Sequence, residues 1–157
     1  MEGKLKEIQS VQVDKIDEKL LNLLMDNSRT KLRELAALVR TSPATVLNRI
    51  RKLEKASIIR KYSAIVDFTK LGFDTSTVIN IKISSGRFAE FKETVSSSPY
   101  VSAVYNTTGQ YDAVVLAKFK STAALDSFLK KLQSLDFIQT TTTAVVLNIM
   151  KEDQIKL

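Results

Sequence analysis

The sequence contains no cysteine and no histidine among its 157 residues. Without cysteine there is no disulfide framework, no thiolate nucleophile and no thiolate metal ligand. Without histidine the commonest metal ligand and general base are missing. These absences argue against an enzyme and against a bound metal or other cofactor, although catalysis by carboxylate or lysine side chains stays open.

Long apolar runs are also missing. No segment approaches the roughly 18 to 20 apolar residues that a membrane-spanning helix needs. The first residues, MEGKLKEIQS, lack the apolar core of a signal peptide. We therefore expect a cytoplasmic protein with no membrane partner. A hydrophobic content of 44% over this length is enough for one ordinary domain or two small ones.

Positive charge is present in excess and is unevenly distributed. The formal net charge is +7, and the chain through Gly72 carries 15 Lys and Arg against 9 Asp and Glu. The remainder carries 9 against 8. Within residues 40–61, seven basic residues accompany one acid, Glu54. The first half of the chain is therefore predicted to meet an acidic partner.

Two helical patterns begin the first half. The first starts at Asp17, with leucines on one broad face, and should end near Asn27. The second covers about residues 31–39, with apolar side chains at helical spacing. Thr30 is the expected N-cap of this second helix.

A third helix is predicted from the stretch TSPATVLNRIRKLEK. Ser42 can accept hydrogen bonds from free N–H groups, and Pro43 occupies a position where a missing N–H costs nothing. At about 100° per residue, one stripe becomes buried. This stripe is Val46, Ile50 and Leu53, whereas Ala44, Asn48, Arg51 and Lys55 point nearly opposite, with Thr45 and Lys52 on one flank and Arg49 closer to the core edge.

The second half alternates strand and helix patterns. IIRKYSAIV reads as a strand that closes the first unit, and Gly72 suits a hinge. Beyond it TSTVINIKI, YVSAVYNTT, YDAVVLAKF and FIQTTTTAVVLNIM read as strands. One predicted helix carries Phe88, Phe91 and Val95; the other carries the core stripe Leu125, Phe128, Leu129 and Leu132. The order strand, helix, strand, strand, helix, strand predicts a ferredoxin-like α+β sandwich.

The third helix has the properties that helix-turn-helix DNA binding requires, because one face packs while the other can enter the major groove. Asn can contact adenine and Arg can contact guanine in bidentate fashion, whereas Lys mainly neutralises phosphate. The alternative is a solvated basic helix on a three-helix bundle. Periodicity and charge alone leave these two interpretations equally open.

Two runs of the sequence resemble one known family. The run IDEKLLNLLMDNSRTKLRELAALVRTSPATVLNRIRKLEKASIIRKYSAIVD is similar to the DNA-binding domain of the Lrp/AsnC regulators, the leucine-responsive and asparagine-synthase regulator family. The run SPYVSAVYNTTGQYDAVVLAKF resembles the Gly-x-x-Asp region of that family's ligand-sensing and assembly domain. The resemblance covers about residues 16–150 and includes both motifs in the family's order.

The resemblance implies a winged helix-turn-helix domain of three helices, followed by the ferredoxin-like βαββαβ sandwich. It implies a sequence-specific transcription regulator that binds double-stranded DNA as a homodimer or a higher even oligomer. Half-sites should lie about one helical turn, roughly 34 Å, apart or at multiples of it. The expected DNA-binding residues are Ser42, Thr45, Asn48, Arg49, Arg51, Lys52 and Lys55.

The sequence departs from the family pattern around the third helix. Arg40 stands where the family usually has a turn Gly, Thr41 where it usually has Leu, and Ser57 where a Gly usually follows the helix. If Arg40 and Ser57 adopt positive φ, each costs on the order of 1 kcal/mol.

The resemblance also implies a cleft between neighbouring dimers that binds a small amino acid. Gly109 would let backbone approach this ligand, Asp112 would pair with its ammonium group, and Tyr111 would form a wall. Thr143 on the last strand is a further candidate. Taken alone, TTGQYDAV reads more simply as a hairpin turn.

The expected domains are a tail at 1–13, a helix-turn-helix domain at 14–59, a strand and hinge linker at 60–72, and a ligand-sensing and oligomerisation domain at 73–157. Two other functions remain alternatives. The chain would be a sequence-independent architectural DNA-binding protein if salt dominated its binding. It would be a ferredoxin-like small-molecule-binding protein if the basic helices formed no tight DNA complex.

Overall fold

The structure is a computed structural model that describes residues 12–153 and 155–157. Most of the expected tail, residues 1–11, lies outside the described residues. The chain forms two compact units. The first runs to Ile65 and also contains Glu152–Leu157, and the second comprises Val66–Lys151. In the part of the chain that is described, no helix is long and apolar enough to cross a membrane.

Helix α1 spans Lys15–Asp26 and begins two residues before the expected start. Asp14 is its N-cap, and its carboxylate accepts from the N–H groups of Ile16 and Asp17, both at 2.9 Å. The Asp17 carboxylate accepts in return from the Asp14 N–H at 3.2 Å. This reciprocal capping box satisfies N–H groups that have no partner inside the helix.

Helix α2 spans Leu32–Leu38, and its N-cap is Lys31. The expectation that Thr30 caps this helix is wrong. The Thr30 hydroxyl donates instead to the carbonyl of Asn27 at 2.8 Å, so it stabilises the preceding turn.

Helix α3 spans Pro43–Lys55, as its start signals predict. The Ser42 hydroxyl accepts from the Thr45 N–H at 3.1 Å, and Pro43 occupies the first turn. The predicted stripe is confirmed, because Val46, Ile50 and Leu53 are all buried.

Both α2 and α3 end in a left-handed residue that is not glycine. Arg40 has φ of 56° and Ser57 has φ of 57°. After α2, the Arg40 N–H donates to Ala37 and the Thr41 N–H donates to Ala36, which is the Schellman pattern. Ser57 occupies the equivalent position after α3. The turn geometry expected of a glycine is therefore retained at both sites without one.

The strand expected from IIRKYSAIV is not formed. Residues 60–67 have no regular secondary structure, and a 3₁₀ turn at Thr69–Leu71 then leads to Gly72 with φ of 81°. A strand needs a hydrogen-bonded neighbour. Among the described residues no strand pairs with this segment. Its β-rich composition is therefore insufficient to form the wing within one chain.

The second unit is the predicted βαββαβ sandwich. Its four strands form one antiparallel sheet in the order β2-β3-β1-β4. This strand order follows from the two helical crossovers and confirms the ferredoxin-like α+β fold. The elements are β1 (Thr75–Ile83), α4 (Phe88–Ser96), β2 (Val101–Asn106), β3 (Ala113–Phe119), α5 (Thr122–Gln133) and β4 (Ile138–Val145).

One face of this sheet packs against the two helices. Along β1 alternate residues are buried, among them Ile79 and Ile81, and they join α4 and α5 in one apolar core. The core stripe predicted on α5 is confirmed. Leu125, Phe128 and Leu132 are buried, and Leu129 is partly buried against the same cluster.

Candidate DNA interface and ligand loop

The face of α3 opposite its buried stripe is exposed. Thr45, Asn48, Arg51 and Lys55 lie on this surface. Within the described residues, neither Arg51 nor Lys55 has an ion-pair partner. An amide and two uncompensated cations therefore project from a helix that is held on its other side.

Two hydroxyls stand at the N-terminus of α3. Ser42 Oγ and Thr45 Oγ1 are 2.8 Å apart, and Ser42 Oγ also caps the helix. Ser42 is therefore primarily a cap, whereas Thr45 presents its hydroxyl one turn into the helix. A helix N-terminus also favours nearby phosphate through its free N–H groups.

Arg49 is bound inside the first unit. Its guanidinium lies 2.7 Å from Asp14 Oδ2 and 2.7 Å from Asp17 Oδ1, and the Asp17 side chain has no exposed surface. The hydrogen bonds that Arg49 donates to Asp17 and Asp14 raise the pKa of Arg49. The Asp17 backbone N–H and the Arg49 guanidinium lower the pKa of the Asp14 carboxyl. Arg49 thus ties α3 to the first turn of α1.

Lys52 is also engaged within this unit. Its ammonium group donates to the Gln12 carbonyl at 2.7 Å and lies 3.5 Å from Asp17 Oδ2. The structure therefore divides the seven expected DNA-binding residues into two sets. Arg49 and Lys52 neutralise a buried carboxylate, although Lys52 is itself exposed, while the other five lie on the exposed surface.

Several exposed basic residues lie outside α3 and were not among the predicted DNA-binding residues. Lys31 and Arg33 are exposed at the start of α2, and Arg60 and Lys61 are exposed after α3. The run RTKLR was the available indication for the first pair. Glu54, the one acid of residues 40–61, accepts a hydrogen bond from the Tyr62 hydroxyl at 2.9 Å. Burial, with help from Glu54, raises the pKa of Tyr62 to about 12.

The hairpin loop between β2 and β3 contains three of the four expected ligand residues, Gly109, Tyr111 and Asp112, whereas Thr143 lies on β4. Gly109 has φ of 107°, a backbone conformation that residues with a Cβ rarely adopt. A Cβ added at Gly109 would meet no atom within 4 Å. Glycine is therefore required here by backbone conformation and not by lack of space.

Asp112 fastens the loop to β1. Its Oδ2 accepts from the Ile83 N–H at 2.8 Å, and its own N–H donates to Ile81 at 3.0 Å. Its carbonyl accepts from the Thr107 N–H at 3.0 Å. One carboxylate oxygen is thus used in the fold, and Oδ1 has no hydrogen-bond partner among the described residues.

Tyr111 contacts the last strand through a residue that was not predicted. Its hydroxyl lies 2.9 Å from Thr142 Oγ1. Thr142 pairs with Asn80, whereas Thr143 pairs with the buried Ile79 and so points to the helix side of the sheet. The structure brings Tyr111 and Thr142 together and leaves Thr143 on the opposite face.

Neither unit offers a metal centre among the residues described, because no group of three or more acidic side chains is suitably clustered. The candidate sites are therefore a cationic helix face and a polar hairpin loop.

Comparison with known proteins identifies both units. The AsnC-type helix-turn-helix domain model matches residues 13–54, and the Lrp/AsnC ligand binding domain model matches residues 76–155. An HTH-type transcriptional regulator of Pyrococcus furiosus is 35% identical over 143 residues, which cover 91% of this chain and 97% of the relative.

Two solved structures are similar along almost their whole length. AsnC of E. coli has a TM-score of 0.87 and 32% identity, with 94% of this chain and 100% of that chain covered. A transcriptional regulator of Neisseria meningitidis, solved as a complex with L-Met, has a TM-score of 0.86 and 29% identity. The alignment covers 93% of this chain and 96% of the Neisseria chain.

Proposed function

The chain belongs to the Lrp/AsnC family and is a helix-turn-helix transcriptional regulator, and we propose that α3 reads its operator in the major groove. The observation that carries this proposal is the exposed face of α3, on which Asn48, Arg51 and Lys55 have no side-chain partner among the described residues. Asn48 and Arg51 contact base edges, and Lys55 contacts phosphate. Thr45 and Ser42 approach the backbone at the helix N-terminus.

The basic start of α2 completes this interface. In helix-turn-helix proteins the helix before the reader crosses the DNA backbone. Lys31 and Arg33 are exposed cations at this position. They neutralise phosphates in place of Arg49 and Lys52, whose charges are committed to Asp17. The phosphate contacts are thus spread over two helices.

Selection of bound sequences from random DNA tests this function directly. The full chain should enrich one motif with two related half-sites, and the Asn48→Ala, Arg51→Ala double variant should lose that enrichment. Lys92→Ala serves as the control, because Lys92 is an exposed cation on α4, outside the DNA-binding unit. If the double variant selects the same motif as the full chain, α3 does not read the operator. If the full chain itself enriches no motif, its DNA binding is independent of sequence.

We further propose that the open face of the sheet forms the dimer interface. An apolar row crosses all four strands through paired residues, Ala103, Leu116, Val78 and Ala144. No helix of the second unit covers this row, because α4 and α5 pack on the other face. A second copy of the chain supplies a matching surface, as twofold symmetry requires.

The segment 60–67, which pairs with no strand among the described residues, gives a second argument for assembly, because its apolar side chains are exposed. It carries Tyr62, Ile65 and Val66 exposed, and Ile65 has 87% of its surface accessible. We propose that 60–72 links a DNA-binding domain at 14–59 to an assembly domain that begins at 73; its expected end at 157 is not retained, because Glu152–Leu157 belong to the first compact unit. The two family matches leave residues 55–75 between them, which agrees with this division.

Sedimentation of the full chain tests the dimer interface. Leu116→Lys places a charge in the middle of the apolar row and should convert the assembly to a smaller species. Ala89→Lys adds the same charge on an exposed position of α4 and should leave the assembly unchanged. Equal sedimentation of Leu116→Lys and the parent chain would eliminate this face as the interface.

We also propose that the loop at Gly109 binds an amino-acid effector between dimers. The Neisseria relative was solved with L-Met. In this chain Asp112 Oδ1 is available for an ammonium group, and the exposed backbone at Gly109 can approach a carboxylate. Tyr111, held by Thr142, forms a side of the site. Calorimetry against the common amino acids should show heat for at least one, with a change in DNA affinity or oligomer size.

A further inference from the structure

A groove of about 420 Å³ lies between α4 and α5, away from both the loop at Gly109 and the open sheet face. Its size falls within the range of small-molecule pockets, roughly 300 to 1,000 Å³. The apolar part of its lining includes Val95, Phe128, Leu132 and Leu135. The first three are buried core residues, so this surface is held by the fold.

A single charge borders this apolar surface. Lys131 is the one charged side chain among the described residues that line the groove. Its neighbour Lys130 forms an ion pair with Asp126 at 2.7 Å, whereas Lys131 has no such partner in the described chain. The local charge is therefore positive and uncompensated, which favours an anionic group on the ligand.

The polar lining of the groove also contains hydroxyl groups, and these differ in whether their hydrogens are already used. Ser97 and Ser127 donate their hydroxyl hydrogens to helix carbonyls, at 3.0 and 2.9 Å. Ser98 Oγ instead accepts from the Tyr100 N–H at 3.4 Å, so its own hydrogen is available. Lys131, Ser98 and Tyr100, whose hydroxyl has no hydrogen-bond partner among the described residues, are thus the groups of the lining that can donate to a carboxylate.

The end of α4 does not neutralise Lys131. The Thr94 carbonyl accepts from the Ser97 hydroxyl, and the Val95 carbonyl accepts from the Ser98 N–H. These two carbonyls therefore already have a hydrogen-bond partner within the fold, and among the described residues no hydrogen bond joins them to Lys131. The ammonium group of Lys131 remains available to a ligand.

We propose that this groove binds a medium-chain monocarboxylate, with its carboxylate at Lys131 and Ser98 and its alkyl chain along Phe128 and Leu132. The groove suits this class of ligand, because its apolar surface can bury the methylene groups and its one free cation, Lys131, can pair with the carboxylate. This second site goes beyond the amino-acid loop and does not depend on it.

Calorimetry of the full chain with butanoate, hexanoate and octanoate tests the proposal. Octanoate should bind saturably with one site per chain, and affinity should rise about fourfold for each added methylene. Octylammonium has the same chain with the opposite charge and should bind at least tenfold more weakly. Absence of octanoate binding, or equal binding of octylammonium, would overturn the proposal.

Variants locate the site. Lys131→Gln should weaken octanoate binding about tenfold or more, and Lys130→Gln is the matched control that should not. Ser127→Phe should fill the groove from an exposed position and abolish binding, with folding checked by circular dichroism. Asp112→Asn should leave octanoate binding unchanged, which separates this site from the amino-acid loop. Octanoate binding that survives both Lys131→Gln and Ser127→Phe would place the ligand elsewhere and refute the assignment.

Discussion

Arg49 of α3 and Asp17 of α1 are joined by an ion pair of 2.7 Å, although 32 positions separate them in the sequence. The Asp17 side chain is completely buried, while a quarter of the Arg49 side chain remains exposed. A buried carboxylate without a partner is strongly unfavourable, so this contact constrains how α3 packs on α1. The pair therefore positions the helix that carries Asn48 and Arg51.

The first prediction concerns this ion pair. Arg49→Ala should lower the free energy of unfolding by about 2 to 4 kcal/mol, because it leaves Asp17 buried beside Lys52 alone. Urea denaturation of the full chain measures the loss. The Asp17→Asn, Arg49→Gln double variant should recover part of it, because no buried charge then remains. If stability is unchanged and the slope of log DNA affinity against log salt concentration falls by about 0.9, Arg49 contacts a phosphate instead.

The second prediction concerns the left-handed residues after α2 and α3. Arg40→Gly and Ser57→Gly should each raise the free energy of unfolding by about 0.5 to 1 kcal/mol, because glycine adopts positive φ without strain. Thermal unfolding provides the measurement. Ser127→Gly, inside α5, is the control and should lower stability by about 0.5 kcal/mol, because glycine is a poorer helix former than serine. If Ser57→Gly lowers the free energy of unfolding, the Ser57 side chain stabilises the fold by more than its positive φ destabilises it.

The third prediction separates base reading from phosphate binding. Asn48→Ala should weaken the selected operator by about 1 to 3 kcal/mol and relax preference at one base pair. Lys55→Ala should weaken all sequences similarly and reduce the slope of affinity against salt by about 0.9. Titrations with operator and unrelated DNA at several salt concentrations distinguish the two. If Asn48→Ala weakens both DNAs equally, Asn48 is not a base contact.

The fourth prediction concerns Asp112, which has both a structural and a proposed binding role. Asp112→Asn keeps an oxygen that can accept from the Ile83 N–H, so stability should change little while amino-acid binding is lost. Asp112→Ala removes that acceptor as well and should additionally lower stability by about 1 to 3 kcal/mol. Calorimetry and urea denaturation of both variants provide the test. Amino-acid binding by Asp112→Asn equal to that of the parent chain would exclude a charge contact.

Local chemistry determined several features that the sequence predicted. The Ser42 and Pro43 start of α3 depends on backbone groups within one turn, and the buried Val46, Ile50 and Leu53 follow from the helical period. The order of strands and helices in the second unit was likewise apparent from alternating patterns and turn residues. These features are encoded over a few residues, so no distant contact was needed to infer them.

Tertiary structure decided the roles of individual residues. Thr140 to Thr143 are chemically identical, and only the register of β4 against β1 places Thr142 beside Tyr111 and turns Thr143 towards the core. From the sequence, Arg49 and Lys52 were predicted to contact DNA, and only the tertiary structure shows that both contact Asp17. The strand expected at 58–66 does not form for a related reason, because a composition rich in β-forming residues does not supply a partner strand. Partners across a fold are chosen by packing and register, and these depend on residues far apart in the chain.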